Sequence, residues 1–174
     1  MNYKVIWLTG LSGAGKTTIA KSLSEKLRSE DISTVILDGD ELRGGLNKNL
    51  GFSSEDRHEN IRRTAEVAKM FLKQDFFVIV ALISPTHALR TLAQDIIGLE
   101  NFVEVFINTP LSICEERDVK GLYKKAREGI IKDFTGIGAP YEIPINPNIE
   151  INTTLVSVKE ATDFIYSSML PFFT

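Results

Sequence analysis

Lys16 and Thr17 close a glycine-rich run, Gly10-Leu11-Ser12-Gly13-Ala14-Gly15-Lys16-Thr17-Thr18, that satisfies G-x-x-x-x-G-K-[ST] at every fixed position. A polyphosphate needs many donors at short range. Glycines at 10, 13 and 15 let the backbone curl until its N–H groups point inward, where a side chain would crowd the turn or the ligand. Lys16 is then placed for the β- and γ-phosphates, and Thr17 for Mg²⁺ through its hydroxyl. A helix-compatible stretch begins at Lys16, and its N-terminus favours an anion. Gly-rich turns also serve as plain connectors, but a connector has no need of the Lys-Thr pair or of the apolar run Val5–Leu8 before it. The chemistry implied is binding of a nucleoside triphosphate, ATP, with Mg²⁺.

The second half of such a site must be sought elsewhere. The apolar run Thr34–Leu37 ends in Asp38-Gly39-Asp40. Ligands of an open parallel sheet lie beyond the carboxyl ends of its strands, which puts both carboxylates near the phosphate loop. There they hold Mg²⁺ or its waters, or accept a proton from an attacking hydroxyl; the competing use is to form a turn and cap the next helix. Asp40 is the preferred catalytic and metal-side residue, with Asp38 as its orienter or as an indirect metal partner. Arg43, Arg57, Arg62 and Arg63 follow, suited to bidentate contacts with phosphate or sulfate, or else to helix salt bridges on a solvated face. Phe52 and Phe134 occur in glycine-containing loops, where a ring plugs a core or stacks on a base. The run Phe76–Ile83 ends in Ser84-Pro85 with no Asp at its tip, where many P-loop ATPases place a metal-side carboxylate. That raises the importance of Asp38 and Asp40 and argues against a motor or switch NTPase. Ser84 is a donor to an anionic substrate or only a turn hydroxyl. His58 reads as structural or solvated, while His87, just past a strand end, is the more suspect of the two.

These residues need a scaffold. Apolar, β-branched runs at Val5–Leu8, Thr34–Leu37, Phe76–Ile83 and Phe102–Ile107, with a shorter one at Ile149–Thr153, alternate with helical patterns at Lys16–Ser29, Glu55–Leu72, His87–Ile97, Leu111–Arg117 and Val158–Ser168. Strands separated by helices predict an α/β fold with a central parallel sheet covered on both faces. In Glu55–Leu72, the residues Ile61, Ala65, Ala68 and Leu72 form a core stripe, which leaves Arg57, Asn60, Arg62 and Arg63 to other faces. The segment Gly129–Pro147 is dense in Gly and Pro with little periodicity, and reads as a long ordered loop over a site. With 174 residues, 43% hydrophobic and 25% charged, the chain fits one domain, taken as 1–174. A formal net charge of −3 gives no general basic surface for nucleic acid. No run reaches membrane-spanning length, and Met1–Thr9 leads straight into the glycine loop without a leader pattern. The one cysteine, Cys114, excludes an internal disulfide and reads as a small buried side chain, so a cytoplasmic, reducing location is expected.

Taken together, GLSGAGKTT at 10–18, DGDELR at 38–43, LGFSSEDRHENIRR at 50–63, ISP at 83–85, CEERDVKGLYKKAREG at 114–129 and KDFTGIGAPYEIP at 132–144 resemble the adenylyl-sulfate kinase family of P-loop kinases over nearly the whole chain. The first motif alone says nucleotide binding; the set is highly specific. The resemblance implies a three-layer P-loop NTPase fold, with a lid at about 120–143, and transfer of the ATP γ-phosphoryl to the 3′-hydroxyl of adenosine 5′-phosphosulfate. It implies that residues 10–18 cradle the ATP phosphates, that Arg117 lies toward the ATP base, and that Asp40 lies near the transferred group and metal. It implies that Asp38, Arg43, Arg57, Asn60 and Ile83 lie on the acceptor, that Phe52 and Phe134 sandwich its adenine, and that Lys120 and Leu122 belong to the closing segment. Ser84 matches the serine assigned in that family as a phosphoserine intermediate; in-line transfer between two bound nucleotides needs no covalent relay, so a donor to the phosphosulfate is the more economical account. Where the family often follows Ser-Pro with an aromatic residue and Arg, this chain has Thr86-His87, with Arg90 retained. A homodimer is implied as well. The alternatives are another small-molecule P-loop kinase and a nucleotide-binding module without turnover.

Overall fold

The computed structural model describes residues 2–173. Among them five strands form one sheet: β1 (Val5–Thr9), β2 (Thr34–Asp38), β3 (Phe77–Ala81), β4 (Phe102–Ile107) and β5 (Ile149–Ile151), in the order β2-β3-β1-β4-β5. Every pairing is parallel. Alternate residues of each strand enter different cores. Ile6, Leu8 and Ile79 pack with α1 (Lys16–Ser29) and α7 (Val158–Met169) on one face. Val5, Trp7, Val78 and Val80 pack with α3 (Ser54–Leu72) and α4 (His87–Ile97) on the other. Burial on both sides is why these strands read as continuous apolar runs rather than as alternation. Each fully buried Ile, Leu or Val contributes about 1.5–3 kcal/mol of transfer free energy.

The expected parallel sheet and its five helical patterns are present, with ends shifted by a few residues: Phe76–Ile83 contracts to Phe77–Ala81 and Ile149–Thr153 to Ile149–Ile151. Two short helices lie outside the five helical patterns. α2 (Gly39–Gly44) begins at Asp38, whose Oδ1 accepts from the Asp40 N–H at 2.9 Å. α6 (Leu122–Arg127) follows α5 (Leu111–Arg117) and is started by Asp118, whose carboxylate accepts from the Tyr123 and Lys124 N–H groups at 3.0 Å each. Asn60 departs from the predicted face. It is buried beside Ile61 and Thr64 on the inner side of α3, whereas Arg62 and Arg63 turn outward to pair with Glu59.

β1 lies between β3 and β4, the central place in the sheet, so the loop leaving its carboxyl end is flanked by loops from both halves. The segment 129–147 holds no helix or strand beyond an isolated Thr135–Ala139 bridge. It is nevertheless tied to the sheet end: the Glu142 N–H donates to Pro85 O at 2.7 Å, and the Tyr141 hydroxyl meets Thr9 Oγ1 at 2.8 Å. Cys114 is free and buried. Among the described residues no helix is long and apolar enough to cross a membrane.

Candidate active site

A cleft of about 820 Å³ opens over the carboxyl ends of β1, β2 and β3. Its floor is the glycine loop. Gly10 has φ +152°, and a Cβ there would meet Ile107 O at 2.6 Å; Gly15 has open space but φ +108°. Glycine is therefore required at 10 by crowding and at 15 by conformation. Ser12 through Thr18 line the cleft, while Gly10 and Leu11 do not. Their carbonyls instead hold the Lys16 ammonium, at 2.9 and 2.7 Å. Burial brings Lys16 down to about 8; Cys114, Asp38 and Asp40 counter that effect and Lys120 adds to it.

Asp38 caps the next helix, one of its two expected uses, and also faces the glycine loop. One carboxylate oxygen caps α2, and the other accepts from Thr17 Oγ1 at 2.6 Å. In register, Asp38 stands beside Ala81 of β3. A carboxylate thus stands level with the end of β3 on the neighbouring strand. Asp40, one residue into α2, forms an ion pair with Lys120 across the cleft. The loop is further braced from behind. Thr109 Oγ1 donates to Ala14 O at 2.9 Å, and Arg117 Nη1 reaches Gly13 O and Thr153 Oγ1 at 3.3 Å each. The Tyr123 hydroxyl of α6 donates to Ser12 O at 2.8 Å.

The other side of the cleft is cationic and aromatic. The Arg43 guanidinium lies 4.3 Å from the Phe52 ring centre, with that of Arg57 at 5.8 Å. Burial lowers the affinity of both guanidiniums for their protons, and Arg57 adds to the effect at Arg43. Two like charges gathered over one ring suit an anionic ligand. Arg57 also joins distant loops: it donates to Phe52 O at 3.0 Å, to Thr135 Oγ1 at 3.1 Å and to Asp133 O at 2.9 Å. Phe134, between those last two residues, packs edge-on against Tyr123. Phe52, Phe134, Asn60, Ile83, Lys120 and Leu122 all line the same cleft.

Ser84 lines it too, held in a left-handed conformation at φ +47°. Three groups secure that backbone. Trp7 Nε1–H donates to Ser84 Oγ at 2.9 Å, Arg90 Nη1 donates to Ser84 O at 2.8 Å, and Thr9 Oγ1 donates to Ile83 O at 2.6 Å. Arg90 is itself buried and paired with Glu104 at 2.9 Å. His87 stands outside the cleft lining: its Nδ1 meets Arg90 Nη2 at 2.9 Å, and its main-chain N–H donates to Glu142 Oε2 at 2.6 Å. The suspicion attached to His87 therefore has no contact with the cleft to support it. His58 is exposed, and Arg62 and Arg63 also lie outside the lining. Sequence reasoning passed over Trp7, Thr9, Thr109 and Tyr123. For Tyr123 a local signal existed, the Asp-x-x-Gly start before LYKKAR; for the others there was none.

The Adenylylsulphate kinase family profile matches residues 2–152. The adenylyl-sulfate kinase of Phocaeicola vulgatus is 51% identical over 96% of this chain and 82% of its own length. That of Pseudomonas aeruginosa is 60% identical over 86% of this chain and 76% of its own. Among solved structures, the Mycobacterium tuberculosis APS kinase CysC, in complex with AMPPNP and APS, superposes with a TM-score of 0.93 at 44% identity, covering 97% of this chain and 98% of that one. With a nucleotide-type phosphate loop, a cationic aromatic wall facing it and matches of this extent, the chain belongs to the adenylylsulphate kinase family.

Proposed function

We propose that the chain transfers the γ-phosphoryl of ATP to the 3′-hydroxyl of adenosine 5′-phosphosulfate, releasing ADP and 3′-phosphoadenylyl sulfate. The observation that carries this reading is the pairing, within one cleft, of a phosphate loop and a second anion-and-ring site built by Arg43, Phe52, Arg57 and Phe134. A phosphohydrolase needs only the first of these. The donor's phosphates lie along Ser12–Thr18, with Arg117 toward its base; the acceptor's adenine lies between Phe52 and Phe134, and its phosphosulfate against Arg43, Arg57 and Asn60. Ser84, whose hydroxyl oxygen already accepts from Trp7, still has its own proton to donate to the acceptor.

Thr17 and the carboxylates suit Mg²⁺. Among the described residues no cluster of three His, Cys, Asp or Glu side chains could cage a metal. Mg²⁺ in a phosphoryl-transfer site is held instead by one or two protein oxygens, waters and the phosphates themselves. The Thr17 hydroxyl gives its proton to Asp38 and so keeps its lone pairs for a cation. When bound, the ion would supply neutralisation of charge between the β- and γ-phosphates. The chain's own residues do the rest. Lys16 leaves the Gly10 and Leu11 carbonyls for the γ-phosphate and stabilises the charge that develops there. Lys120 leaves Asp40 as the nucleotides enter, which frees Asp40 to receive the 3′-hydroxyl proton; Asp40 would also be placed to help hold Mg²⁺. The segment 120–143 closes over both nucleotides and excludes water, held by Arg57 at Asp133 and Thr135 and by Pro85 at Glu142. A homodimer is the assembly proposed, on the family resemblance, and light scattering reports it.

The deciding experiment is a coupled assay of ADP release with and without adenosine 5′-phosphosulfate, together with identification of the product. Strong acceptor-dependent release and a 3′-phosphorylated product are expected. Faster turnover with AMP or gluconate would refute the reading.

A further inference from the structure

Asn47 has no part in the scheme above, yet it is wholly buried and is the residue against which the Asn60 amide rests. It sits in the turn after α2, where its N–H donates to Leu42 O at 2.7 Å and its carbonyl accepts from Leu50 at 3.0 Å. Its Nδ2 donates to Asn60 Oδ1 at 2.9 Å. Its own Oδ1 is buried with no hydrogen-bond partner among the described residues. Asn60, 5% exposed, lines the cleft; its main-chain carbonyl accepts from Thr64 Oγ1 at 2.7 Å, and its Nδ2 has no protein acceptor among the described residues.

A pair of amides joined by one hydrogen bond has two polarities. Turning both over would keep the bond but put the Asn47 NH₂ group where its Oδ1 now lies. That would leave two buried N–H donors of Asn47 without an acceptor, in place of one N–H donor and one carbonyl oxygen. Orphaned buried N–H groups are rarer in folded proteins than under-used carbonyls, because an unpaired donor has no second way to be satisfied. Burial of Asn47 therefore selects the observed polarity, in which Asn47 donates, Asn60 accepts, and the Asn60 NH₂ is turned toward the cleft. Arg43 and Arg57 line the same cleft, so an anion meets donors from all three side chains.

We infer that Asn47 is a positioning residue for the acceptor, setting the polarity of the Asn60 amide so that the cleft presents an N–H donor to the acceptor's anionic group. This rests on the kinase reading above. The test uses the full chain, with ADP release measured at varied adenosine 5′-phosphosulfate and varied ATP. Asn47→Asp replaces the donor by an acceptor of the same shape, so Asn60 must turn its NH₂ inward and its Oδ1 to the cleft. Asn47→Leu removes the donor without imposing the reverse polarity. The expected result is a KM for the acceptor raised about tenfold or more in Asn47→Asp and by less in Asn47→Leu, with the KM for ATP within about twofold of the parent in both. An unchanged acceptor KM in either folded variant overturns the inference, as do equal losses in the two variants with both KM values moving in step, the mark of a merely structural role. If Asn47→Asp does not fold, Asn47→Leu alone decides, by an acceptor-specific rise or none. A parent chain that releases no ADP on addition of acceptor overturns the kinase reading instead, and this inference falls with it.

Discussion

The two walls of the cleft are built on opposite plans. The donor wall is one continuous stretch of backbone whose polar groups are satisfied in place: Lys16 on Gly10 and Leu11, Thr17 on Asp38, Ala14 O on Thr109. It is shaped before any ligand arrives. The acceptor wall is assembled from side chains on α2, the 50–54 loop, α3 and the 129–147 segment, and Phe52 is 60% exposed. Its coherence depends on Arg57, which bridges residues 76 and 78 positions apart in the chain. A wall of backbone binds whatever carries a polyphosphate; a wall of side chains from separate segments discriminates. On the proposed reading, the difference teaches where specificity resides: in the part that takes four pieces of chain to make.

That contrast can be broken by substitution. The largest effect is expected for Lys16→Ala, which removes the one mobile charge of the donor wall: kcat should fall by at least about 100- to 1000-fold in the ADP-release assay, as when a preorganised donor to a developing charge is deleted. Retention of full transfer would refute the role of the loop. Arg57→Ala should raise the KM for adenosine 5′-phosphosulfate by about 10- to 100-fold, the worth of a hydrogen bond to a charged group, while the KM for ATP stays within about twofold. An equal rise in both would mean that the walls are not separable. Phe134→Ala should weaken acceptor use by about tenfold through lost stacking, seen in the same pair of titrations.

The smallest expected effect is a pH dependence of the donor wall. Lys16, brought down to about 8 by burial, is charged below that pH and loses its proton above it in the free protein. A triphosphate must restore that proton, so its dissociation constant, read by calorimetry, should rise about eightfold between pH 7.5 and 9. The stability of the ligand-free chain should move the other way. Its folded pKa is below the unfolded value near 10.5, so the unfolded state holds more protons between about 8 and 10.5, and this group's contribution to stability increases with pH across that window. Lys16→Met should abolish both trends.

The sequence disclosed the donor wall almost completely because a phosphate loop is a local backbone shape, and its glycines and Lys-Thr pair are adjacent in the chain. The strands and main helices were legible for a related reason: burial on both faces leaves unbroken apolar runs, and burial on one leaves a stripe. α2 was missed because six residues are too few for a period to show, although Asp38 was recognised as a possible cap. α6 was missed because its six residues are mostly basic and show no apolar period; Asp118 starts it and Tyr123 anchors it to Ser12. On the acceptor wall, residue types pointed to Arg43, Phe52, Arg57 and Phe134 but could not separate them from Arg62 and Arg63; only the turn of α3 does that, sending the latter pair to Glu59. Asn60 was assigned to an outer face because its polarity outweighed its position one residue from Ile61.

Trp7 is the chain's single tryptophan, fully buried in β1, with its indole N–H bonded to Ser84 on the cleft wall. The protein therefore carries one indole fluorophore, wired by a hydrogen bond to the residue proposed to meet the acceptor. Excited at the red edge of indole absorption, beyond that of the four tyrosines, its emission reports on the surroundings of Ser84 without a label. Stopped-flow traces of that emission would time the filling of the cleft before any chemistry has occurred.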